Sequence, residues 1–338
     1  MLFCNDQNPN SIMKCIRSKA GGRLENQDFY SSSQTQYGEL IIVCDGMGGH
    51  NGGRHAAETA VHIIIEEVSR SKADNPVNAL SEAITNANTA IWEESQADKS
   101  LKGMGTTVAA LLITPERAIS FHVGDSRIYQ LRDEKILFRT FDHSHVFEMV
   151  KAGLITEEQA RLSEKSNIIT RGLGIQSTVD VSITDNLPYK KGDRFLVCTD
   201  GIWGVVPENE LVGIVSQNEN IEKVLTQLVE NVDAIGFKNG GKHDNLTAAM
   251  LEMDSDSTLT KAEETDVIRS PKSAKSQSKL LIYFLLIALS GSLALNIYLL
   301  STKTKEIKKV EREIIRKQIP RTDTIAADTV NVTKPVKK

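Results

Sequence analysis

Cysteine is scarce in this chain. Its 338 residues include four, Cys4, Cys15, Cys44 and Cys198, and none falls in a CxxC spacing. That excludes a disulfide-stapled scaffold and leaves no zinc-ribbon pattern. Cys44 and Cys198 lie inside apolar runs and read as reduced core thiols. Aromatic residues make up only 5% of the chain, and no basic stripe is interleaved with them, so nucleic acid is not the expected partner. The opening "MLFCNDQNPN" lacks the charged-then-apolar pattern of a secretion signal, so the expectation is that residues 1–255 stay in the cytoplasm. Positive charge is short where most of the chain lies. The net charge is −4, and residues 301–338 carry eleven Lys/Arg against five Asp/Glu, leaving about −10 for everything before them.

What is present is a core and one long apolar run. Hydrophobic residues are 40% of the chain, ample for a sizeable globular domain. Residues 280–300, "LLIYFLLIALSGSLALNIYLL", carry no charge, with Tyr283 and Tyr298 near the ends and Lys279 and Lys303 outside. That length matches a membrane-spanning helix. Flanking Lys/Arg counts are nearly equal on the two sides and do not set the orientation. The missing secretion signal and the free cysteines favour a cytoplasmic domain at 1–255, a flexible linker at 256–279 and a basic extracytoplasmic tail at 301–338.

Within 1–255, short apolar or alternating runs predict strands near 39–44, 106–113, 118–123, 127–131, 135–138, 194–198 and 246–251. Helical spacing predicts helices over 54–69, 77–95, 207–216 and 221–235. The close succession of strands over 106–138 implies an antiparallel meander, and the helices fall in pairs between strand groups, so packed layers of sheet and helix are expected. A strand-free insertion, 142–174, holds one helix ending before Gly153. A second begins at Thr156, where Gln159 completes a capping box. Segments of this kind commonly cover a site.

Two strands end in the same cadence, "LIIVCDGMGG" at 40–49 and "FLVCTDGIWG" at 195–204. Each places a carboxylate, Asp45 or Asp200, where a strand hydrophobic on both faces meets solvent. A lone carboxylate partly buried there costs several kcal/mol or takes up a proton. Asp244 opens "DNLTAAML", Asp125 sits in "FHVGDSR" and Asp28 closes "RLENQD", all at the edges of apolar strands. Five aspartates at one rim repel one another unless cations lie among them, and all-oxygen ligands select Mg²⁺ or Mn²⁺ over zinc. Gly46 and Gly201, directly after two of these aspartates, would let backbone approach such an ion. Each residue also has a plainer reading: Asp-Gly as a turn, Gly48, Gly49, Gly52 and Gly53 as turn material or phosphate-facing backbone, Arg23 as a surface cation. His50 reads as a helix-entry residue or an acid–base group, His143 stays ambiguous, and Trp203 reads as packing.

Taken in order, "GGRLENQD", "VCDGMGG", "GTTVAALLI", "VGDSRIYQL", "FDHS", "CTDGIWG" and "DNLTAAML" resemble the metal-dependent PPM, or type 2C-like, serine/threonine protein phosphatases, in their bacterial form. The resemblance spans about 230 residues. It implies an α+β fold, a four-layer α/β/β/α sandwich of two antiparallel sheets flanked by helices. It also implies site roles: Asp45 bridges two ions, the Gly46 carbonyl binds one of them, and Asp200 and Asp244 bind the other. Asp28 reaches an ion through water, Asp125 and Asp200 hold a weaker third ion, and Arg23 clamps the substrate phosphate. Residues 142–174 match the family's variable flap.

The implied cofactor is Mn²⁺ or Mg²⁺, two ions with a third in some members. The implied chemistry is hydrolysis of phosphoserine and phosphothreonine in proteins by a metal-bridged hydroxide, without a covalent intermediate. Phosphoproteins are the implied partners, with a Ser/Thr kinase by analogy and membrane lipid around 280–300. One departure stands out. Some members carry a His general acid where this chain has Met47, which cannot donate a proton. Met47 therefore keeps open a second reading, a catalytically weak, membrane-anchored binding module, against which the intact carboxylate set weighs. A metal nuclease or phosphodiesterase could use similar carboxylates, but the chain lacks a basic stripe with interleaved aromatics.

Overall fold

A computed structural model of the chain describes residues 3–4, 12–48, 52–163 and 165–259. The run 280–300, the tail 301–338 and His50 lie outside the described residues. Among the described residues no helix is long and apolar enough to cross a membrane.

Two antiparallel sheets form the centre. The first runs in the spatial order β1 (Phe3–Cys4), β2 (Met13–Lys19), β13 (Leu246–Glu252), β12 (Arg194–Cys198), β9 (Arg127–Arg132), β10 (Lys135–Arg139). The second runs β11 (Ser182–Leu187), β8 (Ala118–Val123), β7 (Val108–Ile113), β4 (Gly38–Cys44), β3 (Phe29–Thr35). A short ladder pairs β5 (Gly46–Met47) with β6 (Gly105–Thr106). The helices are α1 (Gly52–Arg70), α2 (Pro76–Ala97), α3 (His145–Lys151), α4 (Glu157–Arg161), α5 (Asp200–Trp203), α6 (Glu208–Val215) and α7 (Ile221–Lys238).

The alternation of side chains along β4 and β12 explains why both strands are apolar throughout. Leu40, Ile42 and Cys44 face outward onto Ala60 and Ile64 of α1 and Leu80 and Ile84 of α2. Ile41 and Val43 face inward and share a core with Phe195, Val197 and Leu251 of the opposite sheet. Leu196 and Cys198 turn the other way, toward Leu211 of α6 and Leu225 and Leu228 of α7. A strand covered on both faces must be hydrophobic on both. The result is helix, sheet, sheet, helix, the layering the resemblance implies. Cys15, Cys44 and Cys198 are buried, and Cys44 and Cys198 are free thiols.

Besides the two-residue β1 and β5, the sequence reading missed three strands, β2, β3 and β11. β3 and β11 are the two edges of their sheet, and β2 is followed outward only by the two-residue β1. Their sequences, "MKCIRSK", "FYSSSQT" and "SITDNL", are polar and only part-buried, so they lack the apolar signature of covered strands. The expected strand 106–113 breaks at Thr107, between β6 and β7. Both helices of the 142–174 insertion are present. Thr156 N–H donates to Gln159 Oε1 at 2.8 Å and Gln159 N–H to Thr156 Oγ1 at 3.2 Å, completing the capping box.

Candidate active site

Asp45 leaves the end of β4 and Asp200 opens α5 directly after β12, so both carboxylates emerge at the same end of the sandwich. Asp125 follows β8, Asp244 precedes β13 and Asp28 precedes β3. A cleft of about 570 Å³ opens there, lined by Arg23, Asp45, Gly46, Asp125, Asp200 and Asp244. Asp28 lies beneath it, buried, with its Oδ2 accepting from Thr199 Oγ1 at 3.1 Å. The sequence-derived site residues are thus brought together, six along the cleft wall and Asp28 under its floor.

The Asp-Gly cadence has a backbone cause. A Cβ on Gly46 would stand 2.1 Å from the Gly53 carbonyl oxygen and 2.7 Å from that of Gln27. One on Gly201 would stand 1.9 Å from the Asn245 carbonyl oxygen. No side chain fits at either position, so each aspartate is followed by a point where the loop carrying another site residue comes into contact. Close approach of neighbouring backbone is therefore sufficient reason for both glycines.

Thr106, Thr107 and Asn245, which sequence reasoning did not single out, fix these loops together with Trp203, which it read as packing. Thr107 N–H donates to the Asp45 carbonyl at 2.9 Å, its Oγ1 accepts from Asp45 N–H at 2.9 Å, and Thr106 Oγ1 donates to the same carbonyl at 2.8 Å. This is why the strand breaks at Thr107. Asn245 staples the Arg23 loop: its Nδ2 donates to the Ala20 and Glu25 carbonyls, both at 2.9 Å, and its Oδ1 accepts from Gln27 N–H at 2.8 Å. Trp203 Nε1 donates to the Asp125 carbonyl at 3.0 Å. The quoted motifs contain Thr107, Asn245 and Trp203, but their type alone did not reveal these roles.

His143 resolves as structural. Its Nδ1 accepts from Gly124 N–H at 3.1 Å, its Nε2 meets Ser182 Oγ at 2.9 Å, and burial pushes its pKa down to about 3, so it is a neutral ring. Its neighbour Asp142 forms a buried, two-pronged pair with Arg127 at 2.8 Å on each prong. Arg127 in turn lies 3.5 Å over the Trp203 ring.

The electrostatics of the cleft follow from burial and mutual repulsion. Burial, with the charges of Asp200 and Asp244, raises the Asp28 carboxyl to about 7. Burial and Asp244 raise Asp200 to about 6, eased by a hydrogen bond from the Asp45 carboxyl. Asp45 and Asp125 are pushed well above the usual carboxylate range, by burial first and then by neighbouring aspartates. Asp28 Oδ1 and Asp200 Oδ1 are buried with no hydrogen-bond partner. Buried acceptor oxygens in a cluster of like charge are the donor set a hard divalent cation satisfies. Among the described residues, no three His, Cys, Asp or Glu side chains are already drawn tightly enough together to hold an ion as they stand. Drawing the carboxylates in would require a cation to offset their repulsion. Arg23, exposed at the rim, donates from Nη2 to Asp244 Oδ2 at 2.8 Å, so its guanidinium is already inside the cleft.

Residues 17–247 match the family model described as Protein phosphatase 2C. The chain is 31% identical over 238 residues to serine/threonine phosphatase stp of Listeria monocytogenes, covering 69% of this chain and 89% of the relative. It is similar in structure to serine/threonine phosphatase Stp1 of Staphylococcus aureus, with a TM-score of 0.64, 28% identity, and coverage of 72% of this chain and 96% of that one. The catalytic domain of the serine/threonine protein phosphatase PstP in complex with two manganese ions also matches, with a TM-score of 0.60, 27% identity, and coverage of 71% and 97%. The chain belongs to the protein phosphatase 2C family and is a protein serine/threonine phosphatase.

Proposed function

We propose that this phosphatase is dependent on Mn²⁺ or Mg²⁺, with Asp45, Asp200, Asp244 and the Gly46 carbonyl as the principal ligands, Asp28 as a contributor from below, and Asp125 with Asp200 at a weaker third position. The observation that carries the reading is the pair of partnerless buried oxygens on Asp28 and Asp200 within one cluster of raised carboxylates. The two-manganese complex of PstP supports it. When bound, divalent ions supply Lewis acidity and an activated water for attack on phosphorus. This chain's own residues do the rest. Arg23 reaches the cleft from the rim and offers a planar, permanently charged donor to phosphate oxygens. The Thr106, Thr107 and Trp203 hydrogen bonds hold the Asp45 and Asp125 backbones in place, which limits reorganisation as charge develops. Position 47 contributes no proton, so the leaving alkoxide takes its proton from solvent or another group.

The substrate is a phosphoserine or phosphothreonine in a protein, and a kinase acting at the membrane is the natural opponent. The uncharged 280–300 run, bracketed by Lys279 and Lys303, supports a tether with the phosphatase domain on the cytoplasmic side. The test of the chemistry is hydrolysis of a phosphothreonine peptide by the full-length protein with Mn²⁺. Asp45→Asn and Asp200→Asn should each abolish turnover while circular dichroism shows an unchanged fold. Unchanged turnover in both variants would overturn the metal assignment, and an inactive wild-type enzyme that still binds the peptide would favour a binding module. Membrane fractionation of the full chain against a chain ending at 255 tests the tether.

A further inference from the structure

Apolar side chains border the acidic floor of the cleft at two places. Leu24 directly follows Arg23, lines the cleft and is fully exposed. The loop that displays it is not slack: Gly22 N–H donates to the His243 carbonyl at 3.1 Å, Arg23 N–H to the Ala20 carbonyl at 3.2 Å, and Asn245 Nδ2 to the Glu25 carbonyl at 2.9 Å. Leu24 joins none of the hydrophobic clusters that hold the described fold together. Folding gains nothing from an apolar side chain left wholly in water.

The second place is the returning limb of the 142–174 insertion, where Ile169 lines the same cleft. Its neighbours are fixed by main-chain bonds: His145 N–H donates to the Ile168 carbonyl at 3.2 Å and Thr170 N–H to the His143 carbonyl at 2.7 Å. A Cβ on Gly172 would meet Ile175 Cδ1 at 2.7 Å, Met47 Cε at 3.0 Å and Ile169 Cδ1 at 3.1 Å, so these three side chains converge on one spot. Met47 thus belongs to an apolar shelf that reaches into the cleft. Ile168 and Ile175 remain 50% and 39% exposed.

A polypeptide whose phosphoryl group reaches Arg23 must lay the residues on either side of the phosphorylated one along these surfaces. Acidic flanks would meet Glu25 and Asp244 at the same rim. We infer that Leu24 and the Met47–Ile169 shelf make this phosphatase selective for phosphorylated serine or threonine flanked by apolar side chains, with Leu24 as a specificity-determining residue. The inference rests on the phosphatase reading above and concerns only which protein segments the site accepts.

The test uses the full-length protein with Mn²⁺ and four substrates: p-nitrophenyl phosphate, and phosphothreonine peptides identical except for leucine, glycine or glutamate on both sides of the phosphothreonine. The wild-type protein should prefer the leucine peptide over the glycine peptide by about tenfold in kcat/KM, with the glutamate peptide poorest. Leu24→Ser should bring the leucine peptide to within about twofold of the glycine peptide, through KM rather than kcat, with p-nitrophenyl phosphate turnover retained. Ile169→Ser should act in the same direction and checks that the effect is not confined to one loop. Equal kcat/KM for the leucine and glycine peptides in the wild-type protein, or full preference retained in both variants, would overturn the inference while leaving the phosphatase reading intact. No phosphate release from any of the four would overturn both.

Discussion

The indole N–H of Trp203 donates to the backbone carbonyl of Asp125 at 3.0 Å, tying the last residue of α5 to the loop after β8. Because α5 begins at Asp200, one buried hydrogen bond sets two of the cleft carboxylates relative to each other. The tryptophan is itself held, edge-on to Phe147 at 6.2 Å and beneath the Arg127 guanidinium. Trp203→Phe keeps a ring under Arg127 but leaves the Asp125 carbonyl without its donor, at a cost of about 1–3 kcal/mol. A thermal melt should fall by several degrees. Titration calorimetry should show Mn²⁺ affinity about tenfold weaker. A melt that falls with Mn²⁺ affinity unchanged would mean that Trp203 supports the fold and not the carboxylates.

The carboxylates themselves are held at a cost in stability. Burial and the Asp244 charge raise Asp200 to about 6, so at neutral pH it is ionised and the folded chain bears that charge at a cost the unfolded chain does not. Metal-free Asp200→Asn should therefore be more stable than the wild type, by on the order of 1 kcal/mol, while losing phosphatase activity. Urea melts of the two proteins in chelator check this. A destabilised Asp200→Asn would show that Asp200 serves a packing or hydrogen-bonding need of the fold and not cation binding.

The covered strands were legible because burial on both faces leaves a composition no other environment tolerates: β4 and β12 read correctly from "LIIVC" and "RFLVC" alone. β3 and β11 were not legible, since an edge strand facing water on one side resembles any polar loop. The aspartates were legible for a related reason, since a charge at the end of a buried run contradicts its surroundings. Their supports were not. Thr107, Asn245 and Trp203 act through hydrogen bonds spanning 62 to 225 residues of sequence, and nothing in a threonine's neighbours reveals such a partner. Met47 shows the converse: its type excluded a proton donor, but only its convergence with Ile169 and Ile175 shows what it does instead.

pH should govern metal-free stability with a defined sign. Asp28 and Asp200 hold their protons to about 7 and about 6 in the folded chain, against an ordinary value near 3.8. Between those limits the folded state binds more protons than the unfolded one, so stability falls as pH rises through about 4 to 7. A cation must displace the same protons, so the rise in melting temperature on adding Mn²⁺ should grow from about pH 5 to about pH 7.5. Comparing melts with and without Mn²⁺ at each pH cancels the opposing contribution of His143, whose ring burial keeps neutral. An increment that is flat or shrinks with pH would exclude the aspartates as the binding groups.

Arg23 and Asp244 form an ion pair at 2.8 Å with side chains 55% and 42% exposed. Pairs that wet contribute little to stability, at most about 1 kcal/mol, so Arg23→Ala should melt within a few degrees of the wild type. Its effect belongs to the substrate. Loss of a guanidinium that reaches phosphate should raise KM for a phosphothreonine peptide by about tenfold or more, with Arg23→Lys intermediate because an ammonium cannot engage two oxygens in one plane. Removing Arg23 also leaves Asp244 without its cationic partner, so Mn²⁺ affinity should hold or improve. Steady-state kinetics and Mn²⁺ titration on the same preparations separate the two effects. An Arg23→Ala protein with unaltered KM and weakened Mn²⁺ binding would make Arg23 a support for the carboxylates and leave the phosphate without its proposed clamp.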